Sequence, residues 1–177
     1  MRKQKSRKKQ NQKRGFSLIE LLIVVAVILI IAAIAIPNLL RSRIAANEAS
    51  AVGSLRTLNT SEVTYNTTYP GVGFACSFGV LGPPSSGAAA SSSAAGLIDS
   101  NLAGGIKSGY SFAFLNTTCT PSAGVNTSYD IGASPQSPGV TGQRYFCSDL
   151  SGVIQSNSAT TGAFTDNGGV CSPGTPI

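Results

Sequence analysis

Sixteen consecutive apolar residues, from Leu21 to Ile36, interrupt a chain whose other segments mix polar and apolar positions. Counted from Phe16, the apolar segment has 21 residues. As an α-helix it would be about 31 Å long, which matches the hydrocarbon core of a bilayer. Apolar residues surround this helix instead of forming one stripe, so every face needs lipid or protein against it. The pattern predicts a membrane-spanning helix over residues 16–37.

One carboxylate, Glu20, lies near the start of this segment. The twelve Leu, Ile and Val residues between Leu21 and Ile36 favour insertion by roughly 4 to 7 kcal/mol in total. A carboxylate costs at most about 3 kcal/mol at mid-membrane, and less near the end of a span. We therefore expect the segment to insert despite Glu20.

Pro37 follows the apolar run and is expected to end or kink the helix, because it lacks a backbone donor and its ring clashes with the carbonyl of Ala33. Alternatively, it occupies the first position of a new helix. In either case, the spacing predicts an amphipathic helix over residues 38–65 whose apolar stripe packs on a sheet. The stripe consists of Leu40, Ile44, Ala51, Leu55 and Leu58.

Residues 66–177 form the predicted head domain. Residues 85–95, rich in Ser and Ala, should be a mobile surface loop, and residues 97–102 a short helix that ends before two glycines. The period then changes to two at Tyr110, Phe112 and Phe114, which predicts a half-buried strand.

Further strands are expected at residues 128–131, 144–147 and 153–155, with a turn at 149–152 between the last two. Short links between consecutive strands indicate an antiparallel sheet of about four strands. One face of this sheet should cover the helical stripe, so the expected fold class is α+β.

The formal charge of +6 comes mainly from residues 1–15, which hold eight of the thirteen basic residues. Without them, five basic residues face seven acidic ones, a side-chain charge of −2. A basic cluster before an apolar span keeps that end in the cytoplasm by the positive-inside rule. A nucleic-acid-binding arm would need basic or aromatic support elsewhere, so no nucleic-acid partner is expected by default.

Four cysteines, Cys76, Cys119, Cys147 and Cys171, all follow the apolar segment. The chain has no histidine and no pair with C-x-x-C spacing, so two disulfides in an oxidising compartment are expected instead of a zinc site. Three connectivities are open. We favour Cys76–Cys119 and Cys147–Cys171, because both bonds would attach long loops to neighbouring strands.

The search for reaction chemistry finds no histidine and no G-x-S-x-G, Walker or G-x-G-x-x-G motif. Residues 166–169, Asp-Asn-Gly-Gly, offer two of the roughly six oxygen ligands that Ca²⁺ needs, so we interpret them as a turn. No enzyme activity, cofactor or metal is expected.

Residues 14–20, Arg-Gly-Phe-Ser-Leu-Ile-Glu, together with the apolar run after them, resemble the amino terminus of type IV prepilins and type II secretion pseudopilins. The resemblance implies a prepilin peptidase that cuts after Gly15, an N-methylated new terminus at Phe16, and an assembly role for Glu20. A conventional signal peptide would instead have its cleavage site after a shorter apolar core.

Because buried charges are tolerated when paired, Glu20 is expected to pair with the α-amine of an adjacent subunit. The alternative is that Glu20 snorkels to the membrane surface. The resemblance also implies a pilin-like roll, in which one long, kinked helix packs on the sheet. The expected organisation is a cleaved leader (1–15), a membrane and filament-core helix (16–37), an amphipathic half-helix (38–65) and a head (66–177).

The expected function is that of a structural subunit of a type IV pilus. The subunit would wait in the inner membrane, join the inner-membrane assembly machinery and form a homopolymer on the cell surface. A minor pilin or a type II secretion pseudopilin is the alternative within the same family. A membrane-anchored binding module for adhesion or DNA uptake, which never polymerises, is the alternative from another class.

Overall fold

Helix α1 dominates the computed structural model and runs from Leu18 to Thr68. The structure describes residues 15–115, 124–158, 164, 171 and 174–177. The chain divides into two compact units, Met1–Leu39 and Leu40–Ile177, so α1 contributes to both. The helix ends at Thr68, a little beyond the expected end at residue 65.

Pro37 lies inside α1. The expectation that it ends the helix, or starts a new one, is therefore wrong. A proline within an apolar helix removes one hydrogen bond, and local adjustment of the backbone can satisfy the freed carbonyl. A kink at Pro37 stays a prediction.

In the second unit, α1 buries one face. The predicted stripe is confirmed at Ile44, Ala51, Leu55 and Leu58, whereas Leu40 is 45% exposed, so the buried face begins one turn later than expected. The same face also buries polar residues that the apolar period did not predict, namely Glu48, Ser54, Ser61 and Glu62.

Within the described residues, six antiparallel strands form one sheet, in the same order as in the sequence. They are β1 (Ile106–Lys107), β2 (Tyr110–Phe114), β3 (Asp130–Pro135), β4 (Arg144–Asp149), β5 (Ile154–Ser158) and β6 (Thr175–Pro176). The four longer strands agree with the expected sheet of about four, and β1 and β6 add a two-residue strand at each edge. The long helix and antiparallel sheet confirm the α+β class.

The strand register places large side chains on one face of the sheet. Phe112 pairs with Ala133, and Ala133 pairs with Phe146, so these three residues share a face. All three are buried in the same hydrophobic core as Leu55 and Leu58 of α1. The helix stripe and the sheet thus form the core of the second unit together.

Two short helices precede the sheet, α2 (Phe78–Leu81) and α3 (Ser100–Ala103). The expected helix at 97–102 begins later because the Asp99 side chain accepts hydrogen bonds from the backbone N–H groups of Asn101 and Leu102, both at 3.0 Å. Asp99 is therefore the N-cap that sets the helix start. The 85–95 segment is mostly exposed, as expected, but Ala95 is buried at its end.

Cys147 and Cys171 form a disulfide with a Cα–Cα distance of 5.8 Å, which confirms one of the two favoured pairings. Cys147 belongs to β4 and points to the face opposite Phe146, where it packs with Cys171 and Phe164. The Cys76–Cys119 pairing involves a residue outside the described part of the chain and stays a prediction.

Candidate functional site

The amino-terminal segment holds the residues that the sequence singled out. Gly15 and Phe16 precede the first turn of α1 and have no regular secondary structure. Apart from the chain neighbours of Gly15, no heavy atom lies within 4 Å of the position that a side chain there would take. Phe16 is 80% exposed. Among the described residues, neither Gly15 nor Phe16 is buried.

Glu20 is placed by the start of the helix. Its Oε2 atom accepts a hydrogen bond of 2.9 Å from the backbone N–H of Ser17. Since α1 begins at Leu18, Ser17 occupies the N-cap position and Glu20 the third helical position, which is the carboxylate half of a capping box. The bond satisfies one backbone donor, and the negative charge lies near the positive end of the helix dipole.

The contact between Ser17 and Glu20 was not among the sequence-based expectations, although the sequence contains a signal for it. Ser17 and Glu20 have the Ser-x-x-Glu spacing that marks a helix start. In the single chain, the carboxylate is thus already engaged by its own backbone.

The apolar surface of the first unit surrounds the helix. Its large hydrophobic side chains are between 47% and 80% exposed, and none is buried. Among the described residues, α1 is the one helix long and apolar enough to cross a membrane, with a mean hydropathy of 3.3 over 18 residues. Such a surface is suited to contact lipid chains or other apolar helices.

The head is joined to α1 by an ion pair. Arg144 of β4 contacts Glu48 with both Nε and Nη2 at 2.9 Å from Oε2, and the backbone N–H of Gln143 donates to Oε1 at 2.8 Å. The Glu48 side chain is 9% exposed, whereas that of Arg144 is 47% exposed. The pair orients the start of β4 on the helix and leaves the guanidinium accessible.

No group of three or more His, Cys, Asp and Glu side chains that could hold a metal ion occurs within the described ranges. One open groove along α1, with a volume of about 390 Å³, is lined by Arg56, by Leu97 and by the hydroxyl groups of Thr57, Thr60, Ser61 and Thr64. The basic residues of the leader and the turn expected at 166–169 lie outside the part of the chain that the structure describes.

Comparison with known families gives one match. Residues 10–36 match the prokaryotic N-terminal methylation motif, and this range includes Gly15, Phe16 and Glu20. The comparisons with curated proteins and with solved structures found no match. The specific likeness therefore rests on the amino-terminal segment.

The motif implies processing by a prepilin peptidase and contact with membrane assembly machinery. Together with the apolar helix, it fits membrane anchoring. Proteins of the pilin type are structural and not enzymatic. The match supports a type IV pilin-like prepilin with a class III signal at its amino terminus.

Proposed function

We propose that this chain is a structural subunit of a type IV pilus that polymerises through the apolar part of α1. The observation that carries the proposal is an apolar surface on every side of the helix from Leu18 to Ile36, where Glu20 near the start is the one polar residue. A helix exposed on all faces needs lipid or protein around it. The membrane provides the first environment, and a bundle of identical helices provides the second.

Processing comes first. The peptidase removes residues 1–15, and Phe16 becomes the methylated amino terminus. The openness of the chain around Gly15 supports access by the peptidase. The basic leader keeps this end on the cytoplasmic side of the inner membrane until cleavage.

Glu20 then selects the register of assembly. In a bundle of apolar helices, the new α-amine of one subunit is a charge that needs a partner, and a buried charge without one is heavily penalised. Glu20 of the neighbouring subunit provides that partner. Its bond to Ser17 leaves acceptor positions free, because an ionised carboxylate has about four lone-pair sites on its two oxygens.

The head faces outward in this arrangement, and the disulfide between Cys147 and Cys171 fits an oxidising extracellular location. The subunit needs no cofactor, metal or nucleic acid for this role and catalyses no reaction. Its partners are identical subunits, the prepilin peptidase and the inner-membrane assembly machinery, which supplies the driving force.

The test is the intact mass of the subunit in filaments sheared from native cells. A mass for residues 16–177 with one methyl group and the hydrogen deficit of two disulfides supports processing, pairing of all four cysteines and polymerisation together. If the processed chain occurs in membranes but never in sheared filaments, it is a minor pilin or a pseudopilin. If the chain retains residues upstream of Phe16, the anchored binding module replaces the proposal.

A further inference from the structure

Glu62 of α1 is a carboxyl group enclosed in the head. The residue is 0% exposed. Its Oε2 atom accepts a hydrogen bond of 2.8 Å from the backbone N–H of Ala75, which follows the helix in the sequence. Its Oε1 atom has no hydrogen-bond partner among the described residues. A carboxylate in this position would keep one oxygen without compensation for its lost hydration.

The charged and titratable neighbours give little support to an ionised Glu62. The groups that sense its charge are the hydroxyls of Tyr65, on the same helix, and Tyr129, next to β3. Each of these hydroxyls donates elsewhere, Tyr65 to the carbonyl of Ser92 and Tyr129 to Asn59. Within the described ranges, the ion pairs join other residues, Lys107 to Asp99 and Arg144 to Glu48.

Burial therefore has the largest effect on the pKa of Glu62. Desolvation raises the pKa of Glu62 to about 8, and the hydrogen bond from Ala75 offsets only part of that effect. At neutral pH the folded head holds Glu62 mainly as an uncharged carboxylic acid. In the unfolded chain the same group ionises near pH 4.5.

Phe74 and Ala75, the segment bonded to Glu62, form hydrogen bonds with a second part of the chain. The N–H of Phe74 donates to the carbonyl of Asn126 at 3.0 Å, and the Asn126 side chain donates back to the carbonyl of Phe74 at 2.9 Å. Ala75 is the next residue, so its bond to Glu62 connects this pair to α1. Phe74 and Ala75 are both buried. Phe74, Ala75 and Asn126 thus form a hydrogen-bonded layer on α1 that includes the donor to Glu62.

We propose that Glu62 is a proton-dependent latch: while protonated it holds Phe74 and Ala75 against α1, and its ionisation loosens this layer of the head. The latch lies wholly within the second unit and does not depend on polymerisation. Its contribution to stability is fully present below pH about 4.5 and is lost as the pH rises to about 8. Across that window, the folding equilibrium constant falls by up to about tenfold per pH unit.

The experiment compares the full chain with Glu62→Gln in detergent micelles. Denaturant unfolding is followed through the near-ultraviolet tyrosine signal at intervals between pH 5 and pH 9. Glutamine keeps the size of the side chain and an acceptor for Ala75 but cannot ionise. The chain has no histidine, so the background in this window is low. We expect a steep loss of stability with pH in the parent chain and a nearly flat profile in Glu62→Gln.

Asp99→Asn is the matched control. Asp99 is an exposed carboxyl whose pKa is held below its usual value by the hydrogen bond to Lys107, so its titration lies below the tested window. This variant should retain the steep profile. Parallel profiles for the parent chain and Glu62→Gln would overturn the latch.

Infrared spectroscopy of the parent chain tests whether Glu62 is protonated, and it does not depend on whether a variant folds. With ¹³C-labelled glutamate, the carbonyl band of a neutral carboxylic acid should be present at pH 6.5 and absent at pH 9. Exchange of the Ala75 amide, corrected for its intrinsic rate, should accelerate over the same range. Absence of the acid band at pH 6.5 would show that Glu62 is already ionised in the folded head, and the proposal would then be wrong.

Discussion

The backbone N–H of Ser17 donates to Glu20 Oε2 at 2.9 Å, so the carboxylate of the apolar segment caps its own helix. Both residues lie beside the bond that processing would cut, between Gly15 and Phe16. Cleavage there would leave this contact intact, because Ser17 and Glu20 would both stay in the processed chain. Glu20 can therefore support the helix start in the membrane and still offer its free lone pairs to a neighbouring subunit.

Two substitutions of Glu20 separate its capping role from its charge. Glu20→Gln retains an acceptor for Ser17 but has no charge, whereas Glu20→Ala loses both. We expect both variants to remain inserted in the membrane and to lose filament assembly, because an unpaired buried charge on the neighbour costs about 3–5 kcal/mol and a capping bond only about 1 kcal/mol. Shearing yield and membrane fractionation measure the two properties. Wild-type filament yield from Glu20→Gln would show that charge pairing is unnecessary.

Replacement of Gly15 should block processing without disturbing the fold. The space around Gly15 is open, so Gly15→Val creates no internal clash, and any defect reflects recognition by the peptidase. We expect the variant to accumulate in the membrane with residues 1–15 attached, as measured by intact mass. Gly53→Ala, at an open position within α1, is the control and should be processed normally. Efficient cleavage of Gly15→Val would show that the peptidase does not require glycine.

The ion pair between Glu48 and Arg144 should contribute to head stability mainly through the buried partner. Arg144→Met leaves Glu48 with the Gln143 N–H as its remaining donor, and we expect a loss of about 1–3 kcal/mol in the free energy of unfolding. The exposed pair of Lys107 and Asp99 provides the comparison. Lys107→Met should cost no more than about 1 kcal/mol. Denaturant titrations measure both, and equal losses would contradict the proposed importance of burial.

The elements that the sequence predicted well are those with a local signal. The apolar run predicted the exposed first half of α1, and alternation at Tyr110, Phe112 and Phe114 predicted β2. The sequence also predicted the turn between β4 and β5. In the structure, the backbone N–H of Gly152 donates to the carbonyl of Asp149 at 2.9 Å, which closes this turn. Strands of two residues, such as β1 and β6, are too short to produce a pattern.

Glu48 and Glu62 show why the rest could not be predicted. Both residues lie on the buried face of the helix, but a search for apolar residues at helical spacing does not include glutamates. Their burial depends on donors elsewhere in the chain, Arg144 for Glu48 and Ala75 for Glu62. Periodicity contains no information about such partners. The amino-terminal site was accessible to prediction for the opposite reason, because all of its residues are contiguous.

A side chain at Gly142 should destabilise the head. A Cβ atom there would collide with the ring and hydroxyl of Tyr110. Tyr110 is 0% exposed, and its hydroxyl donates to the carbonyl of Arg144 at 2.8 Å, so the ring has little freedom to move. We expect Gly142→Ala to lower the free energy of unfolding by about 1–3 kcal/mol. Gly53→Ala should be neutral or stabilising, since alanine favours helix. Thermal unfolding measures the stability of both variants. If Gly142→Ala were as stable as the parent chain, the loop around Gly142 would have adapted to the added methyl group.

Asp149 should make the head sensitive to acid. Its oxygens accept hydrogen bonds from the N–H of Ser151 at 2.9 Å and of Cys171 at 3.0 Å. Burial alone would raise the pKa of Asp149, but hydrogen bonds from Ser151 and Cys171 outweigh it and hold the pKa below its usual value. A lowered pKa stabilises the fold above about pH 4, and this contribution is lost as the pH falls through the folded-state value.

Asp149→Asn tests this dependence with its own internal comparison. An amide has only one acceptor oxygen, so one of the two backbone donors loses its partner, and we expect a loss of about 1–3 kcal/mol at pH 7. Lowering the pH from 7 to 2.5 shifts the aspartate of the parent chain towards its protonated form, so the difference between the two chains should shrink. The test is the free energy of unfolding of both chains, measured at pH 7 and at pH 2.5. A difference that stays constant would mean that Asp149 acts through shape and not through its charge.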